Sequence, residues 1–359
     1  MVYPFLPIFA RSLGVDISTM SLLMTSRSLL GATSPLFASI ADQRGRKFGM
    51  LIGTAIFTLG VGLVAIHPSF WTLAAAIILA VLGKSMFDPS MQAYFGDRIP
   101  YAQRGTALAV TEVAWSMAFI IGVPVMGFLI AKFGWSAPFP VLASLGFVIF
   151  VIVWRIVPHE DPHHERTTNS RDGYLAVFKS TKALAGISIA MWASAGNELV
   201  NVIFGVWLED SFGLKIAALA GASAVIGISE LSGEGLVAFT TDKLGKPLAL
   251  AIGLVGNALA SILLPVIGHT QLGALIGLFL FYITFEYVMV SHIPLMTELV
   301  PSARATILSL NITGHSIGRA LGAFLAVIIY QQLGFVFVAL TAVVFNVAAI
   351  LALHRMQKR

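Results

Sequence analysis

A set of ionisable side chains interrupts the long apolar runs of this sequence, and these residues are the first candidates for chemistry. They are Arg27, Lys84, Asp88, Glu112, Glu198, Glu230, Glu234, Glu286, His315 and Arg319. An Arg, Lys or Asp at the middle of a membrane-spanning helix costs about 2.5–3.5 kcal/mol, so such groups usually face a protein interior or a water-filled cavity. Six are acids and three are permanent cations. Because burial beside like charges favours the protonated acid, this surplus suits proton exchange, or recognition of a cationic or polyhydroxylated solute.

The spacing of the acids predicts which of them share a face. Glu230 and Glu234 are four residues apart and therefore lie on one side of a helix. Arg27 falls on the same stripe when it is shifted by 200 residues, so both helices are expected to present these groups to the space between two halves of the molecule. Glu198 in SAGNELVN and Glu286 in ITFEYVM lie at a similar depth and are the strongest candidates for binding substrate or protons.

Other groups allow more than one interpretation. Lys84 and Asp88, at i and i+4, form either a self-neutralised structural pair or a functional one. Glu112 could meet the acidic pair of a neighbouring helix and share one proton with it. His315 and Arg319 repeat the i, i+4 spacing, and a histidine in this setting is more often a packed, hydrogen-bonded side chain than a proton carrier.

Composition and segment length indicate which elements carry these residues. The chain has 359 residues, of which 57% are hydrophobic and 11% charged, and its mean hydropathy is +0.89. Such a chain cannot bury its apolar side chains in one water-soluble globule, and about 20 apolar residues in a helix cross the ~30 Å hydrocarbon layer. The sequence predicts eleven complete spans, at about 17–41, 48–66, 70–94, 106–130, 138–156, 184–208, 216–240, 248–267, 273–295, 306–330 and 335–353.

The distribution of basic residues predicts the orientation of these spans. Most of the 22 Lys and Arg residues fall on the same side as the loop 42–47, whereas only Arg11, Lys132 and Lys215 fall in loops on the other side. The positive-inside rule therefore places that loop, the segment between the halves and the C-terminus in the cytoplasm. The formal net charge of +5 reflects this topology. It does not indicate a nucleic-acid surface, which would need cations clustered on one face.

The two halves of the chain repeat each other. ADQRGRKFGM at 41–50 is echoed by TDKLGKPLAL at 241–250. At an offset of 200 residues, identical or similar residues meet at equivalent loops, as with Asp42 and Asp242 or Gly45 and Gly245. Two repeats in the same orientation are typical of transporters in which parallel bundles flank a central substrate path.

The loop ADQRGRK resembles the signature loop between the second and third helices of the major facilitator superfamily, and TDKLGK is a weaker second copy. The segment DRIPYAQRGTALAVTEVAWS, followed by GVPVMG, is similar to the bacterial sugar-efflux and drug:proton antiporter branch. The resemblance covers essentially the whole chain. It implies an all-α membrane protein with twelve helices in two pseudo-symmetric six-helix bundles, the first helix being truncated here.

The resemblance also implies a cytoplasmic latch that ties the bundles together while the cavity opens outward. In the superfamily the loop Asp docks on the start of the eleventh helix, where the helix N-terminus stabilises a carboxylate. The expected contacts are Asp42 with 304–306, Asp242 with 103–106, Arg46 with Asp97, and Lys246 with Glu298. The whole set comprises Asp42, Gly45, Arg46, Lys47, Asp97, Asp242, Gly245, Lys246 and Glu298. The alternative is a group of solvated charges that contact nothing in particular.

The predicted domains are a first bundle at 1–157, a cytoplasmic linker at 158–183, a second bundle at 184–353 and a cytoplasmic tail at 354–359. The first helix is expected to be incomplete, because MVYPFLPIFA spans only ~15 Å of the layer. A late start codon or a truncation explains this, and a re-entrant stub is the alternative. In the polar linker, residues 174–182 could form an amphipathic helix on the inner membrane surface. A metal site at His159, His163 and His164 is not expected without an ordered scaffold.

Glycine and proline residues predict helix bends and close helix contacts. The positions are Gly122, Pro124, Gly127, Gly314, Gly318 and Gly322. The first three, in GVPVMG, are expected to bend the fifth helix and admit a close neighbour, and the last three form a small-residue stripe on the eleventh helix. Both are expected to lie at interfaces that move during transport, with structural close packing as the alternative. Leu at either Gly122 or Gly127 is therefore expected to block transport.

Together these features predict a secondary transporter that moves a small organic solute by alternating access, with proton-coupled efflux as the leading mode. The rival within this class is a proton symporter that imports a sugar or organic acid. The rival outside it is a non-transporting receptor or assembly protein on the same scaffold. No enzyme is expected, because a Gly-rich phosphate loop, an HExxH motif and a nucleophile triad are absent from the sequence.

The expected partners are a small-molecule substrate, protons and the lipid bilayer, and no cofactor, metal or nucleic acid is expected. The zero cysteine count leaves neither a disulfide framework nor a thiolate metal site. The protein is expected to be a multi-pass monomer of the cell (plasma or inner) membrane.

Overall fold

The computed structural model describes residues 2–36, 45–98, 111, 113–158, 170–300 and 303–357. Within these ranges the side chains of 96, 97, 170–172, 242, 304 and 305 are not described. Helices account for nearly all of the described residues, which include no strand. The predicted all-α class is therefore confirmed.

The helices fall into two successive sets. The first set begins with a 3-10 turn at Tyr3–Phe5 and comprises α1 (Leu6–Leu13), α2 (Ile17–Gly31), α3 (Arg46–Ile66), α4 (Phe70–Arg98), α5 (Val113–Phe133) and α6 (Pro138–Ile156). A linker helix follows at Ser170–Lys179. The second set comprises α7 (Thr181–Phe212), α8 (Ile216–Leu244), α9 (Lys246–Ile267), α10 (Gln271–Leu299), α11 (Arg304–Leu333) and α12 (Phe335–Gln357).

Ten of the described helices, α3 to α12, are long and apolar enough to cross a membrane. The sequence predicted one further complete span, at 17–41. Its described part is α2, which has 15 residues, and residues 37–41 lie outside the described ranges. The short helix α1 stands where an incomplete first span was expected.

Local sequence explains where several helices begin. The hydroxyl of Ser180 accepts a hydrogen bond from the amide of Ala183 (3.2 Å) at the start of α7, and Thr270 caps α10 through Gly273 in the same way (3.1 Å). Ser and Thr are favoured at this position because their oxygen satisfies one of the amides that the first turn leaves unpaired. Pro138 begins α6, where a missing amide hydrogen costs nothing.

The internal repeat extends to the backbone conformation. Every residue with positive φ in the described ranges is a glycine, and these glycines form pairs about 200 residues apart: Gly14 with Gly213, Gly45 with Gly245, and Gly134 with Gly334. Gly45 and Gly245 directly precede α3 and α9, with φ of 93° and 82°. Residues with a Cβ rarely adopt this conformation, so glycine is required at the same turn in both halves.

The two bundles meet along two helix pairs that the repeat relates to each other. α2 packs on α11, and α5 packs on α8. The Ser21 hydroxyl donates to the Ala323 carbonyl (2.5 Å), and the Thr313 hydroxyl donates to the Ala32 carbonyl (3.2 Å). α4 and α10, in contrast, pack mainly within their own bundles.

The side of the molecule that carries the end of α1 is closed by apolar packing between the bundles. Phe5, Leu6 and Phe9 are fully buried, in one hydrophobic core with residues of α7 and α8. The Arg11 guanidinium pairs with the Glu209 carboxylate of α7 at 2.6 Å. We call this side of the molecule the Arg11 side and the opposite side the Lys246 side.

The linker helix lies at the Lys246 side of the second bundle, against α7 and α11. Val177 is fully buried in a cluster with Met296 and Ile307. Tyr174 and Phe178 lie on the exposed part of the helix. The expected helix at 174–182 is therefore present a few residues earlier, and it docks on protein while presenting aromatic side chains outward.

Candidate functional site

A chain of hydrogen bonds crosses between the bundles at the middle of the molecule. The Arg27 guanidinium of α2 donates to the Tyr3 hydroxyl (2.8 Å), and that hydroxyl donates to Glu198 Oε1 of α7 (2.5 Å). The Asn201 amide donates to Glu198 Oε2 (3.3 Å), and the Tyr282 hydroxyl of α10 donates to Asn201 Oδ1 (2.9 Å). We call these five residues the central chain.

Glu198 is fully buried at the centre of this chain. The helix around it is built from small residues, and Gly196 and Ser194 are also buried. Gly322 of α11 lies so close that a Cβ atom added there would come within 2.9 Å of the Glu198 Cβ. The small side chains of both helices thus bring α11 against α7 and exclude water from one side of the carboxylate.

A second group of charges lies beside the central chain. Glu230 of α8 lies near the positive charge of Arg319 and near the Trp115 side chain of α5. The positive charge of Arg319 also interacts with the Tyr3 hydroxyl, and the negative charge of Glu230 interacts with the Tyr282 hydroxyl. The structure therefore brings Arg27, Glu198, Glu230 and Arg319 near one another.

Glu286 and Glu234 lie close to this group, along the contact between α8 and α10. A Cβ atom added at Gly233 would come within 2.9 Å of the Glu286 Cβ, so Glu286 packs directly on α8. Glu286 thus belongs to an interface within the second bundle. Glu234 lies four residues after Glu230 on α8 and acts on it electrostatically.

The expected i, i+4 pair on α4 is present, with the Lys84 ammonium 2.6 Å from the Asp88 carboxylate. The Lys84 ammonium also lies over the Trp115 ring, 4.7 Å from its centroid. Trp115 is in turn 5.9 Å from Phe119 of α5, centroid to centroid. The pair is therefore not an isolated structural contact, because it extends to an aromatic side chain of the next helix.

His315 occupies a buried polar column inside the second bundle. Its Nδ1 is 2.7 Å from the Ser194 hydroxyl, and its Nε2 is 3.3 Å from the Asn311 amide. The ring of His292 on α10 lies 6.3 Å away, and His292 is 1% exposed. These contacts match the sequence interpretation of His315 as a packed, hydrogen-bonded side chain.

Sequence reasoning missed Tyr3, Asn201, Tyr282, Trp115 and His292. A charge inside an apolar run is costly and therefore easy to notice. Tyr3, Asn201, Tyr282 and Trp115 carry no charge, so this signal does not mark them. Tyr3 lies in the segment expected to be an incomplete helix. Asn201 carried a usable signal, because it is three residues after Glu198 and therefore on the same helix face.

The latch residues are described in part. The Lys246 ammonium pairs with the Glu298 carboxylate, as expected. Lys47 instead donates to the Trp154 carbonyl at the end of α6 (2.7 Å). Asp42, Glu112 and the linker histidines lie outside the described ranges, as do the side chains of Asp97 and Asp242.

The glycines predicted to admit close neighbours divide into two kinds. A Cβ atom at Gly127 would lie 2.6 Å from the Ala220 Cβ of α8 and 3.1 Å from the Phe5 ring, so the bundles touch there. At Gly122 the nearest atom is 3.9 Å away. The close approach expected of GVPVMG is therefore found at Gly127 and not at Gly122. Near Gly122, α5 deviates through a π-helical turn at Ala118–Gly122 that ends two residues before Pro124.

The glycine stripe of α11 packs on the backbone of α7. Cβ atoms at Gly314, Gly318 and Gly322 would meet the carbonyl oxygens of Ile187, Met191 and Ala195, respectively. Both helices belong to the second bundle. The stripe therefore holds one bundle together and does not lie between the two bundles, which corrects the expectation that it marks an interface between moving halves.

Gly318→Ala should lower the stability of the protein. Because the added methyl group would collide with the Met191 carbonyl, α11 must move away from α7, and we expect the midpoint of thermal unfolding in detergent to fall by about 5 °C or more. Gly62→Ala on α3 is the matched control, since nothing lies within 4 Å of its added Cβ. Equal unfolding midpoints for the two variants would contradict the close packing at Gly318.

The family profile described as Major Facilitator Superfamily matches residues 1–300. The chain belongs to this superfamily. Two uncharacterised MFS-type transporters of Bacillus subtilis (strain 168) are similar to it over most of their length. YbcL is 25% identical over 316 residues, covering 88% of this chain and 80% of YbcL, and YceJ is 25% identical over 337 residues, covering 92% and 85%.

Solved transporters share the fold of this MFS chain. A mutant of the peptide transporter POT in complex with sulfate matches with a TM-score of 0.80 at 16% identity, over 99% of this chain and 90% of that one. A mutant of the nucleoside transporter NupG matches with a TM-score of 0.79 at 15% identity, over 99% and 95%. The family match and the ten described apolar helices make this MFS chain a multi-pass membrane transporter, which is not an enzyme.

Proposed function

We propose that this MFS chain is a proton-coupled secondary transporter that exports a small organic solute in exchange for protons by alternating access. The observation that carries the proposal is the central chain, in which a fully buried carboxylate, Glu198, joins the two bundles. A buried carboxylate can gain and lose a proton, and a contact between bundles can form and break. In the central chain, proton binding and the contact between the bundles both involve the Glu198 carboxylate.

The proton acts through the bonds that Glu198 accepts. The ionised carboxylate accepts from Tyr3 and Asn201, and Tyr3 links it to the positive charge of Arg27. A proton on Glu198 removes the negative charge that balances Arg27 and weakens the bond from Tyr3, because a neutral acceptor binds less strongly than a charged one. The protonation state of Glu198 therefore sets how strongly the first bundle is joined to the second at the midplane.

The closed side changes when this contact loosens. The Arg11 side is held by the buried rings of Phe5 and Phe9 and by the Arg11–Glu209 pair. These contacts must separate for the solute path to open there. When the contacts on the Arg11 side separate, the bundles rotate so that their ends on the Lys246 side approach each other. The latch residues lie at these ends.

The latch is part of the proposal. Gly45 and Gly245, which directly precede α3 and α9, both have positive φ, so the chain enters these two helices in equivalent ways in the two bundles. The pairing of Lys246 with Glu298 neutralises one basic residue of its loop. The latch Asp residues would then dock on helix starts of the opposite bundle, where the helix dipole favours a carboxylate.

The positive-inside distribution supports a cytoplasmic Lys246 side, with the linker and C-terminus also in the cytoplasm of a plasma or inner-membrane protein. The central chain is complete within one polypeptide. A monomer is therefore the functional unit of this proposal.

The test measures the direction of proton movement. A thermal-shift screen against a solute library first identifies a ligand, which is then added outside proteoliposomes that contain a trapped pH dye. Antiport predicts that solute entry raises the lumenal pH, because protons leave as the solute enters. A fall in lumenal pH would instead establish the symport alternative. Solute uptake without any pH change would overturn proton coupling, with protein-free liposomes as the baseline.

A further inference from the structure

Trp115 lies near the start of the described part of α5, at Val113–Phe133. It is 44% exposed, yet its neighbours are polar groups of two other helices. Lys84 of α4 lies over its ring, and Glu230 of α8 in the opposite bundle lies near its side chain. The indole therefore lies near charged residues of both bundles.

The Lys84 ammonium is held in the way that a cationic ligand is held. It lies 4.7 Å from the centroid of the Trp115 ring and 2.6 Å from the Asp88 carboxylate. An aromatic face and a carboxylate are the two groups that recognise an ammonium in water-filled sites, since the ring quadrupole attracts a cation and the carboxylate supplies the charge. The Lys84 side chain is 55% exposed, so its flexible stem can withdraw.

A second carboxylate lies on the other side of the indole. Glu230 Oε2 is buried and has no hydrogen-bond partner among the described residues. Arg319 acts on Glu230 electrostatically, but Glu230 also has Glu234 of its own helix nearby. The indole thus lies between an acid of the first bundle and an acid of the second.

We infer that Trp115, Asp88 and Glu230 bind an organic cation, and that the Lys84 ammonium occupies the position of the cationic group of the substrate. We call these four residues the Trp115 site. The inference rests on the proposed function, because it names the substrate class of the same transporter. Its occupant is an ammonium, phosphonium or similar cation with apolar substituents that can stack on Trp115 and Phe119.

Lys84 acts in this site as a tethered competitor. A cation that binds must displace the Lys84 ammonium from the indole face and share Asp88 with it. Removal of the Lys84 charge empties the aromatic face and frees the Asp88 carboxylate, so a free cation binds more tightly. Removal of the indole takes away the face itself and weakens binding.

The experiment measures equilibrium binding of tritiated tetraphenylphosphonium to the full-length protein in detergent. We expect Lys84→Gln to bind this probe about tenfold more tightly than the original protein, and Trp115→Leu about tenfold more weakly. Lys84→Arg keeps a cation on the ring and is expected to stay within about twofold of the original. Size-exclusion profiles show that each variant is folded.

Two matched controls separate the site from general effects of charge and aromatic content. Lys132→Gln removes another lysine of the first bundle that lies over aromatic rings, those of Phe128 and Phe133, on the Arg11 side. Trp71→Leu removes a tryptophan of α4 that is 78% exposed. Both controls are expected to leave probe binding unchanged.

Several outcomes would overturn the inference. Failure of the original protein and of Lys84→Gln to bind tetraphenylphosphonium would exclude a cation site. Weaker binding by Lys84→Gln would show that Lys84 does not compete with the probe. Because binding is measured without a membrane or a proton gradient, these results are independent of the pH measurement in proteoliposomes. Normal cation binding without a pH change would overturn proton coupling and leave the Trp115 site in place.

Discussion

Glu198→Gln is expected to reduce proton-driven transport to the level of protein-free liposomes while solute exchange continues. Gln keeps the size of the side chain and resembles the protonated acid, but it cannot release a proton. The Tyr3 hydroxyl then donates to a neutral oxygen, and Arg27 loses the charge that balances it. Uptake driven by a pH gradient and counterflow between equal pH values, both measured in proteoliposomes, separate these two activities.

Glu209→Gln is the matched control for this experiment. Glu209 lies on the same helix, α7, but it pairs with Arg11 near the surface of the Arg11 side. Because the Arg11 side chain is 62% exposed, this ion pair contributes little energy beside the buried rings of Phe5 and Phe9, so the variant should keep most of the proton-driven activity. Proton-driven transport by Glu198→Gln at the original rate would exclude Glu198 as the coupling residue.

Gly127→Leu is expected to abolish both proton-driven transport and counterflow. Ala220 of α8 and the Phe5 ring leave no room for even a Cβ atom at this position, with 2.6 Å and 3.1 Å to the nearest atoms. A leucine would hold α5 away from α8 and prevent closure of the Arg11 side. Transport in proteoliposomes checks the result, and the yield of monodisperse protein shows that membrane insertion is intact.

Gly122→Leu supplies a sharp comparison, since it makes the same change five residues earlier on the same helix. The nearest atom to an added Cβ is 3.9 Å away, so we expect Gly122→Leu to keep at least about half of the original transport rate, as a substitution away from close contacts usually does. Equal loss of transport in both variants would show that the π-helical turn, and not the contact with α8, is what α5 requires.

The two glycines illustrate what sequence patterns can predict. GVPVMG correctly indicates an irregular helix, because glycine and proline act on the local backbone. It does not distinguish Gly122 from Gly127, because the difference depends on which side of α5 the second bundle approaches. In the same way, the stripe at Gly314, Gly318 and Gly322 indicates a close contact, while only the structure shows that its partner is α7 of the same bundle.

The contacts of the polar centre also divide into those that the sequence predicts and those that only the structure shows. Lys84 with Asp88 could be paired from sequence, because four residues make one helical turn, and Lys246 with Glu298 followed from the family resemblance. The contact between Tyr3 and Glu198 spans 195 residues and joins two bundles. The Tyr3 hydroxyl carries no charge, so the cost of a charge inside an apolar run does not identify it.

The sequence by itself determined the membrane setting, the positions of the spans, the repeat and the superfamily, because apolar length, loop charge and positive-φ glycines act over short stretches of chain. The tertiary structure alone decided which polar groups meet. Arg27, Tyr3 and Glu198 form one hydrogen-bonded chain, and Lys84 lies on Trp115, only because the bundles dock in one particular way. That docking depends on the shapes of whole helix faces, which no local pattern of residues records.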